Sequence, residues 1–230
     1  MRDKPRDPVI EAFIQHIQDH TFPCLAAHSA LSYDQLRYYV ADHIACPHDD
    51  AGILSFLYDF VDELRQGIHS YFSAVVLFRE PVIHSEEMFE TFFWKRLQSL
   101  ADMDALKYPY DPRVDRDVDS PTFSFSLKEE AFYIIGLHPA SSRKARSFSY
   151  PAMVFNAHVQ FEKLREENHY TKMQEVVRKR DIAFSGSVNP LLSDFGTASE
   201  AVQYTGREYG PQWKCPLIIR HARPDHHSAT

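Results

Sequence analysis

The stretch from Phe132 to Arg165, FYIIGLHPASSRKARSFSYPAMVFNAHVQFEKLR, constrains the fold more than any other part of the chain. An apolar run of strand length, Phe132 to Leu137, breaks at His138-Pro139 into a basic loop carrying Arg143, Lys144 and Arg146. A second apolar run at Met153 to Phe155 leads into a helical segment that begins close to His158. Just upstream, Phe123 to Leu127 alternates as a strand, Lys128-Glu129-Glu130 turns, and Ala131 to Leu137 returns. Strands joined by so short a turn run antiparallel. The expected fold is therefore α/β (α+β), a mixed, partly antiparallel sheet flanked by helices.

The remaining elements follow from periodicity. Val9, Phe13, Ile14 and Ile17 fall on one face of a helix over Val9 to Asp19, which leaves His16 and His20 at its polar edge as surface residues. Thr21-Phe22-Pro23-Cys24 ends that helix, because proline disfavours helical geometry in the residue before it. Cys24 to Leu31 and Leu36 to Ile44 read as a hairpin turning at Ser32-Tyr33-Asp34. A helix from Asp49 to Gly67 carries Ile53, Leu57, Phe60, Val61 and Leu64; Tyr71 to Phe78 is a central strand; a second long helix spans Ser85 to Met103. Lys107 to Pro121, rich in proline and aspartate, reads as a loop in the manner of a surface flap. Helices over Val159 to Arg165 and Tyr170 to Phe184 are split near Glu167-Asn168, and a packed irregular segment with Leu191, Leu192, Phe195, Tyr204 and Trp213 follows. One domain over residues 1–230 is expected, with a flexible tail from about residue 222.

Composition narrows the function by exclusion. A chain of 230 residues buries about 70% of its unfolded surface without metal or disulfide support. The net charge of −7 argues against a nucleic-acid surface. No apolar run is long enough to span a membrane, and MRDKPRDPVIEAF lacks the apolar core of a signal peptide. With three cysteines and no close-spaced pair, the expected location is the cytoplasm. Nucleotide-binding glycine loops, HExxH, CxxC and GxSxG are absent. His20, Cys24 and His28 stand four apart, but Pro23 breaks the helix that would bring them together. The His138 loop remains: an imidazole beside Arg143 and Arg146, with hydroxyls at Ser141, Ser142 and Ser147. Guanidinium groups bond carboxylates in pairs, so the loop suits paired carboxylates such as haem propionates. A hydrogen-bonded core histidine and a solvated cationic turn fit the same residues.

Four motifs carry a resemblance: Phe22-Pro23-Cys24; GLHPASSRKARSF, Gly136 to Phe148; YPAMVFNAHVQFEKLR, Tyr150 to Arg165; and SGSVNPLLSDFG followed by SEAVQYTGR, Ser185 to Arg207. Together they resemble the YqcI/YcgG family, and within it a branch of haem-dependent N-hydroxylases. The resemblance implies a haem cavity, haem b (iron protoporphyrin IX), dioxygen as co-substrate, and hydroxylation of a guanidine or amine nitrogen on a small amino-acid-like substrate. No flavin or ferredoxin motif is visible, so an external electron donor, a separate reductase, is expected; a homodimer is admitted. For the iron, His138 is favoured, with Cys24 next and His158 also a candidate; Cys215 ranks lower. Asn156, Asp194 and Glu200 are the candidate catalytic residues, with Glu162, Asn189 and Tyr204 as further polar candidates. A non-catalytic haem carrier or sensor, or a cofactor-free protein with structural histidines, is the alternative.

Overall fold

The computed structural model describes residues 6–67, 71–166, 170–186, 195–210 and 212–221. Strands β1 (Leu36–His43), β2 (Ser73–Glu80), β3 (Phe125–Leu127), β4 (Glu130–Leu137) and β5 (Ala152–Ala157) form a mixed sheet in the order β1-β2-β5-β4-β3. β1 and β2 are parallel, and the remaining pairs are antiparallel. Around the sheet stand α1 (Pro8–Gln18), α2 (Leu25–Ser32), α3 (Asp50–Gln66), α4 (Glu86–Asp104), α5 (His158–Glu166), α6 (Tyr170–Ser185) and the single turn α7 (Ala201–Tyr204). No helix among the described residues is long and apolar enough to cross a membrane.

Alternation along the strands makes two cores. Ala74, Val76 and Phe78 of β2 pack with α3 and α4, while Val75 and Leu77 meet Val9, Phe13 and Ile17 of α1. Ser85 caps α4 by accepting from the Met88 amide at 3.1 Å. Lys128 and Glu129 have φ of 51° and 57°, the doubly left-handed geometry that a two-residue hairpin between β3 and β4 demands.

The expected hairpin over Cys24 to Ile44 does not form. Residues 25–32, LAAHSALS, are helix α2, which suits their leucines and alanines and their lack of β-branched residues. β1 pairs instead with β2, Leu36 against Ser73, through a crossover that carries α3. β2 is an interior strand, yet the central place belongs to β5. The Lys107 to Pro121 loop is anchored rather than a simple flap. Its Tyr110 and Asp111 are buried, and Tyr110 donates to the Ser124 carbonyl at 2.5 Å while Asp111 accepts from the Ala131 amide at 2.8 Å. His16 is half-buried, its ring against Phe22 and Phe148, because α1 presses its C-terminal turn onto both. The split near Glu167-Asn168, Leu191, Leu192 and the tail lie outside the described residues.

Helix α6 is held differently from the others. Where α3 buries six apolar side chains, the one buried side chain among those described on α6 is Asp181. Its other contacts are cationic. Arg180 donates to the carbonyls of His20 and Phe22 at 2.8 Å each, Arg143 pairs with Asp181 at 2.5 Å, and Lys144 sits 4.2 Å from the Phe184 ring centroid.

At Gly136, in β4, a Cβ would stand 2.7 Å from Phe89 Cε1 and 3.1 Å from the Tyr204 carbonyl oxygen. Gly136→Ala should therefore lower stability by about 1–3 kcal/mol through overpacking. Urea unfolding checks this: the midpoint should fall with the slope unchanged, and an unaltered midpoint would contradict the close approach.

Candidate functional site

Register builds a polar row across the sheet. Asn156 of β5 lies opposite Ser73 on one side and Tyr133 on the other, on the face that Val75 and Val154 share. Ser73 Oγ donates to Asn156 Oδ1 at 2.7 Å, Asn156 Nδ2 to the Tyr133 carbonyl at 3.3 Å, and the Tyr133 hydroxyl to Gln203 Oε1 at 3.0 Å. Arg146 stands at the end of this row, close to the Tyr133 hydroxyl. Its guanidinium is buried and donates to the carbonyls of Gly136 (3.1 Å), Tyr204 (3.2 Å) and Gln203 (3.2 Å). Burial lowers its pKa, but arginine remains charged.

Cys24 occupies the N-cap position of α2 and is half-buried. Burial pushes the thiol pKa up. The amides of Ala27 and Ala26 and the charges of Arg146 and Arg180 act in the other direction. Arg180 also fixes the preceding turn through the His20 and Phe22 carbonyls, so sulfur, helix terminus and guanidinium groups are held together.

His138 is elsewhere. Its ring stacks on Phe89 of α4 at 4.1 Å, its amide donates to the Arg146 carbonyl at 3.1 Å, and its Nδ1 is buried with no hydrogen-bond partner. Burial drives its pKa down to about 4 despite the opposing charge of Glu86, so the ring is neutral at pH 7. Phe89 belongs to the α3/α4 core and Cys24 packs on the α1 core, so the two candidate iron ligands lie on opposite faces of the sheet. Arg143 and Arg146 likewise engage separate groups: Asp181 takes the first and main-chain carbonyls the second. As they stand they do not form one carboxylate clamp. For a haem, Cys24 offers the iron a sulfur at a helix N-terminus with Arg146 and Arg180 nearby, although burial outweighs those charges and keeps the thiol protonated, and the two loop arginines do not fit the propionates.

His158, at the start of α5, has Nε2 3.0 Å from Glu200 Oε1 and 2.9 Å from Ser124 Oγ. Serine, histidine and carboxylate suggest a nucleophilic triad, but that chemistry needs hydroxyl and carboxylate on opposite ring nitrogens. Here both meet Nε2, Ser124 also bonds the Phe132 carbonyl, and Phe195 covers the ring at 4.9 Å. This is a buried brace joining β4, α5 and α7. Glu200 lies 3.4 Å from the Tyr204 hydroxyl, which burial and this carboxylate hold un-ionised.

Asp194 and Asn189 lie outside the described residues. Glu162 is half-exposed, 4.0 Å from Arg113, and burial pushes the Cys215 thiol up to about 12. Among the described residues no three histidine, cysteine or acidic side chains converge as a metal group; His28 Nε2 lies 3.0 Å from the Phe22 carbonyl. Sequence reasoning missed Ser73, Tyr133, Gln203 and Arg180. For Ser73 and Tyr133 the available signal was a polar residue inside an apolar strand; Gln203 and Arg180, on helices, carried none.

Comparison with known proteins follows the same outline. The YqcI/YcgG family model matches residues 11–218. The chain is 27% identical over 211 residues to "Uncharacterized protein YqcI" of Bacillus subtilis (strain 168), covering 87% of this chain and 82% of that one. It is 28% identical over 209 residues to "Uncharacterized protein YcgG" of the same organism, covering 86% and 81%. No solved structure matches significantly.

The neutral His138 ring makes stability depend on pH. Its folded pKa of about 4 lies below the ordinary histidine value of 6.5, so the contribution is complete above pH 6.5 and is lost as pH falls toward 4. The loss amounts to about 3 kcal/mol at the lower end. His138→Phe, which keeps a ring against Phe89, should flatten the stability profile between pH 7 and pH 4. Urea titrations across that range test it, and a variant as acid-sensitive as the wild type would refute the assignment.

Proposed function

The chain belongs to the YqcI/YcgG family, and from that premise we propose that it is a haem-dependent monooxygenase, an oxidoreductase that N-hydroxylates a guanidine or amine nitrogen of a small amino-acid-like substrate in the cytoplasm. The observation that carries the reading is the position of Cys24. Its sulfur lies half-buried at the N-terminus of α2 with Arg146 and Arg180 close by. A thiolate there meets two main-chain amides and two guanidinium charges, the environment that stabilises a cysteine ligand once its proton is given up. This reverses the order expected from sequence: His138, neutral and stacked on Phe89, is assigned a packing role.

When bound through a thiolate, b-type haem supplies dioxygen activation, with electrons from an external reductase. The chain's own residues do the rest. Arg146 keeps a fixed positive charge next to the sulfur, which favours the thiolate over the thiol. Asn156 and the Tyr133 hydroxyl, both partly covered, offer hydrogen bonds with fixed directions because each is already oriented by a neighbour. Arg180 ties α6 to the Phe22 turn that leads into Cys24, which fixes the position of that turn. His158 and Glu200 hold α7, and through it the Gln203 that bonds Tyr133.

The test is spectroscopic. Haem added to the purified protein should give a Soret band, and the reduced, carbon-monoxide-bound form should absorb at the long-wavelength position of thiolate ligation. Cys24→Ser should abolish that position, while His138→Phe should leave it in place. Absence of a Soret band from the loaded wild-type protein overturns the haem reading; a thiolate-type spectrum that Cys24→Ser does not alter overturns the ligand. A haem spectrum blind to every added amine and guanidine would point instead to a carrier or sensor.

A further inference from the structure

A cleft of about 440 Å³ opens between α1 and the loop that follows β4. That volume suits a small organic ligand. Gln15, His16 and Asp19 line one side, and Ser147, Phe148 and Ser149 the other. Phe148 forms a rigid floor: it is buried, with its ring edge-on to Phe13 at 5.5 Å and tilted against His16 at 5.3 Å.

The chemistry of this lining is one-sided. Asp19 accepts from the Thr21 amide at 2.8 Å and the Thr21 hydroxyl at 2.7 Å, both on Oδ1. These bonds hold its carboxyl below the usual range, so it is ionised at neutral pH, and Oδ2 has no partner among the described residues. The His16 ring is wedged against Phe22 at 4.9 Å with its Nε2 turned into the protein and closed to solvent, so it shapes the cleft rather than supplying that nitrogen to it. Burial keeps the ring neutral, so it adds no positive charge to the wall. Gln15 adds an amide and the serines add hydroxyls, groups that can accept or donate. The cation nearest in effect, Lys144, has its ammonium against Phe184, and His20, 3.9 Å from Asp19, is largely in solvent. The fixed charge on the wall of the cleft is therefore a carboxylate.

We propose that this cleft binds a small organic cation of the guanidinium or primary ammonium class, with Asp19 as counter-ion, the Gln15 carbonyl as a further acceptor, and Phe148 as the apolar floor. Serving as the recruiting site for the amine substrate, it rests on the N-hydroxylase reading; cation binding itself requires neither haem nor oxygen, so the two can fail separately.

Calorimetric titration of the full chain, with and without added haem, decides the matter. The probes are butylguanidinium and butylurea, which match in shape and differ in charge. Butylguanidinium should bind saturably, with butylurea weaker by about tenfold or more, the worth of a charge-assisted hydrogen bond. Asp19→Asn, which keeps an acceptor for Thr21, should weaken butylguanidinium by about the same factor. Ser149→Trp, at an exposed position, should fill the cleft and abolish binding, which keeps the proposal testable if the first variant does not fold. Equal binding of the two probes, no binding of the cation, or wild-type affinity in Ser149→Trp would overturn it. Cation binding without any Soret band would retain the cleft and remove the enzyme reading.

Discussion

Arg146 is an arginine with almost no access to water, and burying its charge costs several kcal/mol unless hydrogen bonds replace the lost solvent. Three main-chain carbonyls replace it: Gly136 at the end of β4, and Gln203 and Tyr204 in α7. The surrounding chain is shaped to that requirement. Gly136 gives room for Phe89, and Gly206, with φ near +81°, brings the backbone so near that a Cβ would lie 3.0 Å from Arg146 Cγ. The cation thereby fixes α7 against β4. Tyr204 then reaches the Phe125 amide and the Phe132 carbonyl, and Glu200 meets His158. The polar row on one face and the buried brace at the end of the sheet meet at this guanidinium.

The same dependence explains what the sequence revealed and what it concealed. Helices α1, α3 and α4 were legible because their apolar residues repeat at helical spacing, and the β3–β4 hairpin because its strands are joined by a minimal turn. The parallel pairing of β1 was not, since proximity in sequence favours a hairpin and only the α3 crossover permits the alternative. In the site, the residue types were visible and their partners were hidden. Arg146 bonds main-chain carbonyls, which leave no trace in residue identity, and Arg143 pairs with Asp181, 38 positions away. The row of Ser73, Asn156 and Tyr133 exists only through the register of three strands.

The cations that sequence reading marked as a clamp for carboxylates bind groups of the protein itself. Arg143 holds Asp181, Arg146 holds main-chain carbonyls, and Lys144 lies on Phe184. Together with Arg180, which holds the turn before Cys24, Arg143 and Lys144 fasten α6 by charge rather than by apolar burial. The Arg143–Asp181 pair is largely buried, so its attraction is offset by the cost of taking both charges out of water, whereas fully burying a single leucine or phenylalanine contributes about 1.5–3 kcal/mol. Helix α6 therefore opens at lower free energy than α3, whose six buried apolar side chains resist separation.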